Sequence, residues 1–550
     1  MKLNPNRKNI GSISKTLFLS ILMSSSLMLK TLGQTASNSV PAIIEKNGRH
    51  AFIVDGKPFF MLGGQAHNSS AWPALMPRVW AAAEEMHLNT LEVPIYWEQI
   101  EASQGKFDFS IVDTLLSQAR LHKMHLVLLW FATWKNGSNH YMPEWMKADS
   151  KRYPNITGKN GNAIDSPSPL AKATLDADSK AFSSVMRYLK QADTQHTVIM
   201  VQVENESGAW GSVRDYSPLA QKMFEGQVPA ELLKPEILKA LNVSVVKAGT
   251  WEKIFGDRAD EYFHAWYVAR FIGQVAASGK AEYNLPLYVN VALRDPLTNP
   301  TANNYESGGP TDNVIPIWKV AAPAIDLLAP DIYLPGSERV LKVMDLYDRA
   351  DNTLFVPEAG FIPVNVKYLY TVFAHGGIGF SPFGIDDNGE AESTTALKER
   401  LAPFAQEYWA ASPMLSQLAT WAFEGKIKAA VETDDHATQT IDLGNWQAGV
   451  FFGGDGRSNA APVYNLPTGK LMIAQLNENQ FILMGSRCHV VFSPSGINSG
   501  KAWQYLKVEE GYYQNGEFKL LRIQNGDETD WGGPGFGNVP TVLRVSVTTR

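Results

Sequence analysis

The sequence predicts an α/β chain, a (β/α)8 TIM barrel followed by a C-terminal all-β domain of the β-sandwich type. Three observations predict it. Eight short apolar runs recur between residues 59 and 384, each separated from the next by a loop and a helical pattern. Most of those runs are continuously apolar instead of alternating, as parallel strands covered on both faces should be. After residue 425 the helical periodicity fades into short strand-like runs punctuated by turns. A doubly wound sheet is the competing α/β architecture, but no glycine-rich phosphate loop follows the first run.

In order, the eight runs are FFMLGGQAH (59–67), NTLEVPIYW (89–97), HLVLLWFATW (125–134) and TVIMVQVENE (197–206), then PLYVNVAL (286–293), IDLLAPDIYL (325–334), TLFVPEAG (353–360) and GGIGFSPFG (376–384). Between the first two, Leu75, Val79, Ala82 and Met86 recur near the helical period. Ile111, Leu115, Ala119 and Met124 do so less regularly before the third run, and 396–423 reads as helical after the eighth. Residues 209–282 interrupt the rhythm and read as an excursion of loops and helices on the active face. In the C-terminal part, AGVFFGG, KLMIAQL, QFILMG and HVVFSP read as strands, as does the alternating TVLRVSVTTR at the end. Asn515-Gly516 and Asn525-Gly526, flanking EFKLLRI, read as hairpin turns.

The bulk composition bounds the function. The chain of 550 residues is 45% hydrophobic, enough for more than one core, which sets two domains as the expectation. Net charge is −6 and no long basic run occurs, so nucleic acid is not an expected partner. Lys2, Arg7, Lys8 and Lys15 precede an apolar core at 17–29, and small residues follow. That is the pattern of a secretory signal, with cleavage near Gly33–Ala36. The apolar core is too short for a comfortable membrane span, which needs about 20 residues, so no stable membrane insertion is expected after signal removal. The domain expectation is therefore a signal peptide over 1–35, a barrel over 36–425 and a β-sandwich over 426–550, in a protein exported to the periplasm or secreted. Cys488 is the one cysteine, and the histidines show no ligand spacing, so no metal and no cofactor is expected.

In a barrel, side chains at the C-terminal ends of the strands face the substrate. The fourth run closes on Glu204-Asn205-Glu206, and the seventh closes on Glu358 between Pro357 and Gly360. Two carboxylates at distant strand ends that converge across the mouth suit glycoside hydrolysis, which needs one protonated and one ionised carboxyl group. Burial and a neighbouring negative charge would keep the proton on Glu206. Asn205 would present an amide to the sugar 2-hydroxyl. Trp134 and Tyr96 end strands and offer sugar-stacking walls; Gln65 and His67 end the first strand within reach of sugar hydroxyls. Tyr333 closes the sixth run and is placed to donate a hydrogen bond to Glu358. Glu204 divides evenly between a substrate contact and a buried structural carboxylate, because strand alternation points it away from Asn205. Asp326 and Asp331 read as structural.

QVENESG with its apolar strand resembles glycoside hydrolase family 35, the β-galactosidases of the large barrel clan. GGQAH (63–67), LNTLEVPIYWEQIEASQGKFDF (88–109) and MPEWM (142–146) follow the same family order. The resemblance implies retention, with Glu206 as acid/base and Glu358 as nucleophile. It also implies an exo-acting enzyme that releases terminal β-D-galactosyl residues from oligosaccharides, including those of plant cell walls. The chain departs from the family where Pro94 occupies the expected tyrosine position, with Tyr96 beside it, and where the third-strand tail WFATWKNGSNH lacks the family's glutamate. Of that tail, Asn136 keeps a family role. The alternatives are a clan β-glycosidase of other sugar specificity and a non-catalytic carbohydrate-binding surface protein.

Overall fold

The computed structural model describes residues 39–386, 393–453 and 466–550. The signal-like segment at 1–35 lies outside the described residues. Eight strands form a closed parallel barrel: β1 (Met61–Gln65), β2 (Thr90–Tyr96), β3 (His125–Lys135), β4 (Val198–Asn205), β5 (Leu287–Ala292), β6 (Leu327–Ile332), β7 (Phe355–Ala359) and β8 (Gly379–Pro382). Each pairs with its neighbours in the chain, and β8 closes on β1 through Gly379–Met61 and Phe380–Leu62. All eight fall on the apolar runs, because a strand buried on both faces carries its own continuous signal.

A wall helix follows each strand, apart from shorter helical turns in the loops: α1 (Met76–Glu85), α2 (Ser110–Leu121), α3 (Lys172–Ala192), α4 (Ala259–Glu282), α5 (Ile315–Ala321), α6 (Ser337–Tyr347), α7 (Tyr368–His375) and α8 (Thr394–Ala411). The excursion after β4 is therefore shorter than expected. Short helices fill 218–258, and α4 belongs to the barrel wall. Its buried residues run almost all the way round, from Phe263 and Trp266 to Phe271 and Val275, so it lacks the one-sided stripe of a surface helix. It packs lengthwise on α3; Gly279 is pressed so close to Phe182 and Met186 that a Cβ there would stand 2.6 Å from Phe182 Cδ1.

Ahead of the barrel, Ala42–Lys46, Arg49–Val54 and Lys57–Phe59 form a three-stranded antiparallel sheet. Its two turns are Asn47-Gly48 and Asp55-Gly56, with all four residues at positive φ, as the tight turns of twisted hairpins require.

From Ile427 onward the chain is built of β-strands: β9 (Ile427–Val431), β10 (Gln439–Asp442), β11 (Trp446–Phe452), β12 (Lys470–Asn477), β13 (Gln480–Ser486), β14 (Cys488–Pro494), β15 (Trp503–Gln514), β16 (Glu517–Gln524), β17 (Gly535–Phe536) and β18 (Thr541–Thr549). They form a six-stranded sheet, β9-β12-β13-β18-β15-β16, and a four-stranded sheet, β10-β11-β14-β17. Ile473, Phe481 and Val545 of the first sheet meet Val450, Val490 and Phe492 of the second in one shared core, which makes the pair a sandwich. Asn515-Gly516 makes the two-residue hairpin between β15 and β16. Asn525-Gly526 does not; Gly526 leads into a short helix, Asp527–Asp530, because Glu528 caps the Asn525 N–H and draws the chain round.

A buried polar joint ties barrel to sandwich. Glu407 of α8 accepts a hydrogen bond from Tyr370 at 2.6 Å and pairs with Lys470 of β12 at 2.8 Å. A buried ion pair is stable only when its remaining lone pairs are met, and here Ser486 Oγ supplies a further donor at 3.3 Å. Among the described residues no helix is long and apolar enough to cross a membrane.

Candidate active site

The end of β4 breaks the alternation that a strand should keep. Glu204 and Glu206 have φ of +63° and +40°, values rare for a residue with a β-carbon and characteristic of sites where structure overrides local preference. The consequence is a sorting of side chains. Glu204 turns outward beneath α3, whereas Asn205 and Glu206 both turn to the mouth.

There Glu206 meets two carboxyl groups from across the barrel. Asp331 and Glu358 are register partners on β6 and β7, so their side chains project side by side. Carboxylate oxygens of Glu206, Asp331 and Glu358 lie within 4.8 Å of one another, and the three residues are 8%, 2% and 4% exposed. Three buried carboxylates cannot all carry charge at that distance. Burial first, then the charge of Glu358, pushes Glu206 up to about 7. Burial and both neighbours push Asp331 well above the carboxylate range, and a hydrogen bond joins it to Glu206. The pair therefore holds a proton between them.

Glu358 is fixed by donors. Gln65 Nε2 donates to Oε1 at 2.8 Å and the Tyr333 hydroxyl to Oε2 at 2.9 Å. Asn205 Nδ2 approaches Oε1 at 3.4 Å. Asn290 of β5 links the groups: its Oδ1 accepts from the Glu206 backbone N–H at 3.0 Å, while its Nδ2 donates to Asp331 at 2.6 Å. Lys135, at the end of β3, donates to Asn205 Oδ1 at 2.8 Å and to Asn136 Oδ1, placing one buried cation beside the acidic cluster.

The strand-end reading thus brings Glu206, Glu358, Asn205 and Tyr333 together. Asn136 stands at the rim, exposed, its backbone N–H donating to the Asn205 carbonyl at 3.2 Å. Trp134 and Tyr96 are corrected as sugar-stacking walls, and Glu204 takes its buried structural alternative. Trp134 is fully buried and meets Phe271 of α4 edge-on, so it walls no sugar. Tyr96 is 1% exposed, stacked on Tyr141 with its hydroxyl accepting from the Ala71 N–H. Gln65 is likewise buried, its Nε2 donating to Glu358 while its Oε1 has no protein partner among the described residues. Glu204 accepts from the Trp134 N–H at 2.7 Å and shares a proton with Asp178; burial and the Asp178 charge hold it well above the carboxylate range. His67 is partly exposed, its Nδ1 held by Asp386 at 3.0 Å and its ring edge-on to Phe383.

Asp331, Asn290 and Lys135 went unread as site residues, as did Glu306, a buried carboxyl in the loop after β5 whose proton is held by burial and by the charge of Glu206. Asp331 and Asn290 carry the signal that marks Glu358, a polar residue inside an apolar run. Lys135 and Glu306 carry none, since both lie in loop-like sequence. The three mouth carboxyls are also, among the described residues, the set whose atoms stand close enough to hold a metal ion.

Part of the chain is similar to known β-galactosidases. Residues 71–247 match the glycoside hydrolase family 42 model, described as β-galactosidase. That segment carries β2, β3 and β4 with Glu206. Residues 404–533 match a domain of unknown function, DUF5597. A β-galactosidase of Xanthomonas manihotis is 27% identical over 184 residues, covering 32% of this chain and 28% of the relative. β-Galactosidase 11 of Arabidopsis thaliana is 33% identical over 60 residues, covering 11% of this chain and 7% of the relative. The chain thus spans about a quarter of the first relative's length and under a tenth of the second's. Among solved structures, a β-galactosidase from Bacillus circulans sp. alkalophilus aligns with a TM-score of 0.48 at 10% identity, covering 89% of this chain and 99% of that one. A β-galactosidase from Rahnella sp. R3 aligns at 0.45 and 16%, covering 66% and 57%.

Proposed function

We propose that this protein is a retaining exo-β-galactosidase that releases terminal non-reducing β-D-galactosyl residues from oligosaccharides, those of plant cell walls among them. The observation that carries the reading is the approach of Glu206 and Glu358 to within 4.8 Å at the barrel mouth. Retaining enzymes hold their carboxyl groups about 5–5.5 Å apart, whereas inverting ones leave about 6.5–9.5 Å for a water.

In the first step a Glu358 oxygen attacks the anomeric carbon as Glu206 gives its proton to the glycosidic oxygen. The C1–O bond breaks, the alcohol departs, and a glycosyl ester remains on Glu358. Esterification removes the charge that helps keep Glu206 protonated, so Glu206 now serves as base. It takes a proton from water, the water oxygen attacks C1, the ester opens, and β-galactose leaves with its configuration retained. Gln65 and Tyr333 aim the nucleophile; Asp331 and Asn290 hold the acid's backbone and proton in register with it.

Proton NMR of an aryl β-galactoside digest tests this reading. β-Galactose as the first anomer supports it, and α-galactose first contradicts it. A panel of aryl glucosides and arabinosides tests the sugar, since the third-strand tail departs from the family 35 pattern. Export belongs to the same proposal, and N-terminal sequencing of protein recovered outside the cytoplasm tests it through cleavage near residues 33–36.

A further inference from the structure

At the barrel mouth, the loop after β4 presents a large aromatic surface that no step above uses. Trp210, four residues beyond Glu206, is 51% exposed. An exposed tryptophan on a loose loop would be ordinary, but this one is held from three sides. Ala209 exchanges backbone hydrogen bonds with Ser307 at 2.8 and 3.0 Å. Ser166 Oγ donates to the Gly208 carbonyl at 2.8 Å. Gly208, at φ +150°, passes so close to the 306–309 loop that a Cβ there would stand 2.6 Å from the Ser307 carbonyl oxygen. The indole N–H lies against the buried Glu306 carboxyl, and both side chains press on the backbone of Gly137, where a Cβ would stand 3.3 Å from Trp210 Cδ1 and would collide with Glu306 Oε1. Gly137 in turn donates its N–H to the Glu206 carbonyl at 3.0 Å.

This chain of contacts fixes the side of the mouth on which Trp210 stands. Gly137, which both side chains press upon, is bonded through its N–H to the Glu206 carbonyl, so Glu306 and Trp210 stand on the Glu206 side. Tyr333 and Gln65 occupy the Glu358 side. In a retaining site the acid/base stands beside the departing oxygen and the nucleophile beneath the anomeric carbon. The indole therefore flanks the leaving group. An aromatic face is electron-rich and binds the slightly positive C–H face of a pyranose, and a face already held in place costs no ordering on binding.

We propose that Trp210 is the platform on which the leaving sugar ring stacks, so that the substrates are β-galactosides of a second sugar in place of a small or flexible alcohol. The proposal rests on the galactosidase reading above and adds its aglycone. Glu306 positions the indole and touches no substrate.

The test compares galactosyl-β-1,4-glucose with β-D-galactosyl fluoride, whose departing fluoride reaches no platform. The readout is the ratio of kcat/KM for the disaccharide to that for the fluoride. Trp210→Ala should lower that ratio at least about tenfold, the size of effect that loss of one good apolar contact produces. Trp210→Phe, which keeps a flat apolar face, should recover it to within about threefold of the unmodified protein. A ratio for Trp210→Ala within about twofold of the unmodified protein overturns the proposal, whether both activities fall together or neither does. So does a Phe variant as impaired as the Ala variant. An unmodified protein that cleaves the fluoride but not the disaccharide overturns the platform alone. One that cleaves neither overturns the galactosidase reading and the platform with it.

Discussion

Removing the charge of Glu358 should lower the pKa of Glu206, and the geometry sets the size of the drop. Two unit charges 4.8 Å apart repel by about 1 kcal/mol in a water-like medium and by about 3.5 kcal/mol at the effective dielectric of a protein site. That range corresponds to roughly 0.6–2.5 pH units. Burial is the larger cause of the elevation to about 7 and survives the substitution, and Lys135 pulls the other way throughout. Glu358→Gln should therefore bring Glu206 from about 7 to roughly 4.5–6.4. The sign is unambiguous, since losing a negative neighbour favours the ionised form. Carbon-13 NMR of carboxyl-labelled glutamate provides the assay, with the Glu206 resonance assigned by its disappearance in Glu206→Gln. A midpoint that stays within about 0.3 unit of the unmodified protein, or rises, would refute the coupling and with it the switch of Glu206 from acid to base.

Other outcomes follow from the same contacts. Tyr333→Phe removes a hydrogen bond to a charged group and should lower kcat/KM about 10- to 100-fold on aryl galactosides; an unaltered value would show that the hydroxyl does not aim the nucleophile. Glu92, buried inside the barrel against Tyr288, is pushed up to about 8 by burial. Its contribution to stability is full below pH 4.5 and is lost as pH rises to about 8. Between pH 4 and 7, urea melts of Glu92→Gln against the unmodified protein should therefore shift in the variant's favour by about 3 kcal/mol, and a constant difference would contradict the burial argument. With Glu206 and Asp331 sharing a proton, EDTA should leave turnover within twofold. Loss of turnover restored by one divalent ion would assign the three carboxyls to a metal instead.

The barrel was readable because its strands are buried on both faces, so each run announces itself without help from its partners. The sheet at 42–59 carries the equally plain hairpin dipeptides Asn47-Gly48 and Asp55-Gly56, but its outer strands are exposed and only 51–54 makes a short apolar run. The site was readable wherever a polar side chain interrupts such a run, as Glu206 and Glu358 do. Side-chain direction was the part that sequence could not supply. Strand parity says that Glu204 and Glu206 share a face, and two positive φ values send them to opposite sides of the wall. The aromatic residues Trp134 and Tyr96 sit at strand ends, yet α4 and the loop bearing Tyr141 cover them. Such coverage depends on elements far along the chain. Trp210, in a stretch without periodicity, shows its exposure only once the 306–309 loop has been folded against it.

The most direct test of the account is to name the nucleophile. Incubation with 2-deoxy-2-fluoro-β-D-galactosyl fluoride, whose ester turns over slowly, followed by peptide mass spectrometry, should find one fluorogalactosyl group on the peptide bearing Glu358. The same incubation of Glu358→Gln should find none. A label on Glu206, on Asp331 or on no residue at all would contradict the assignment of roles across the mouth.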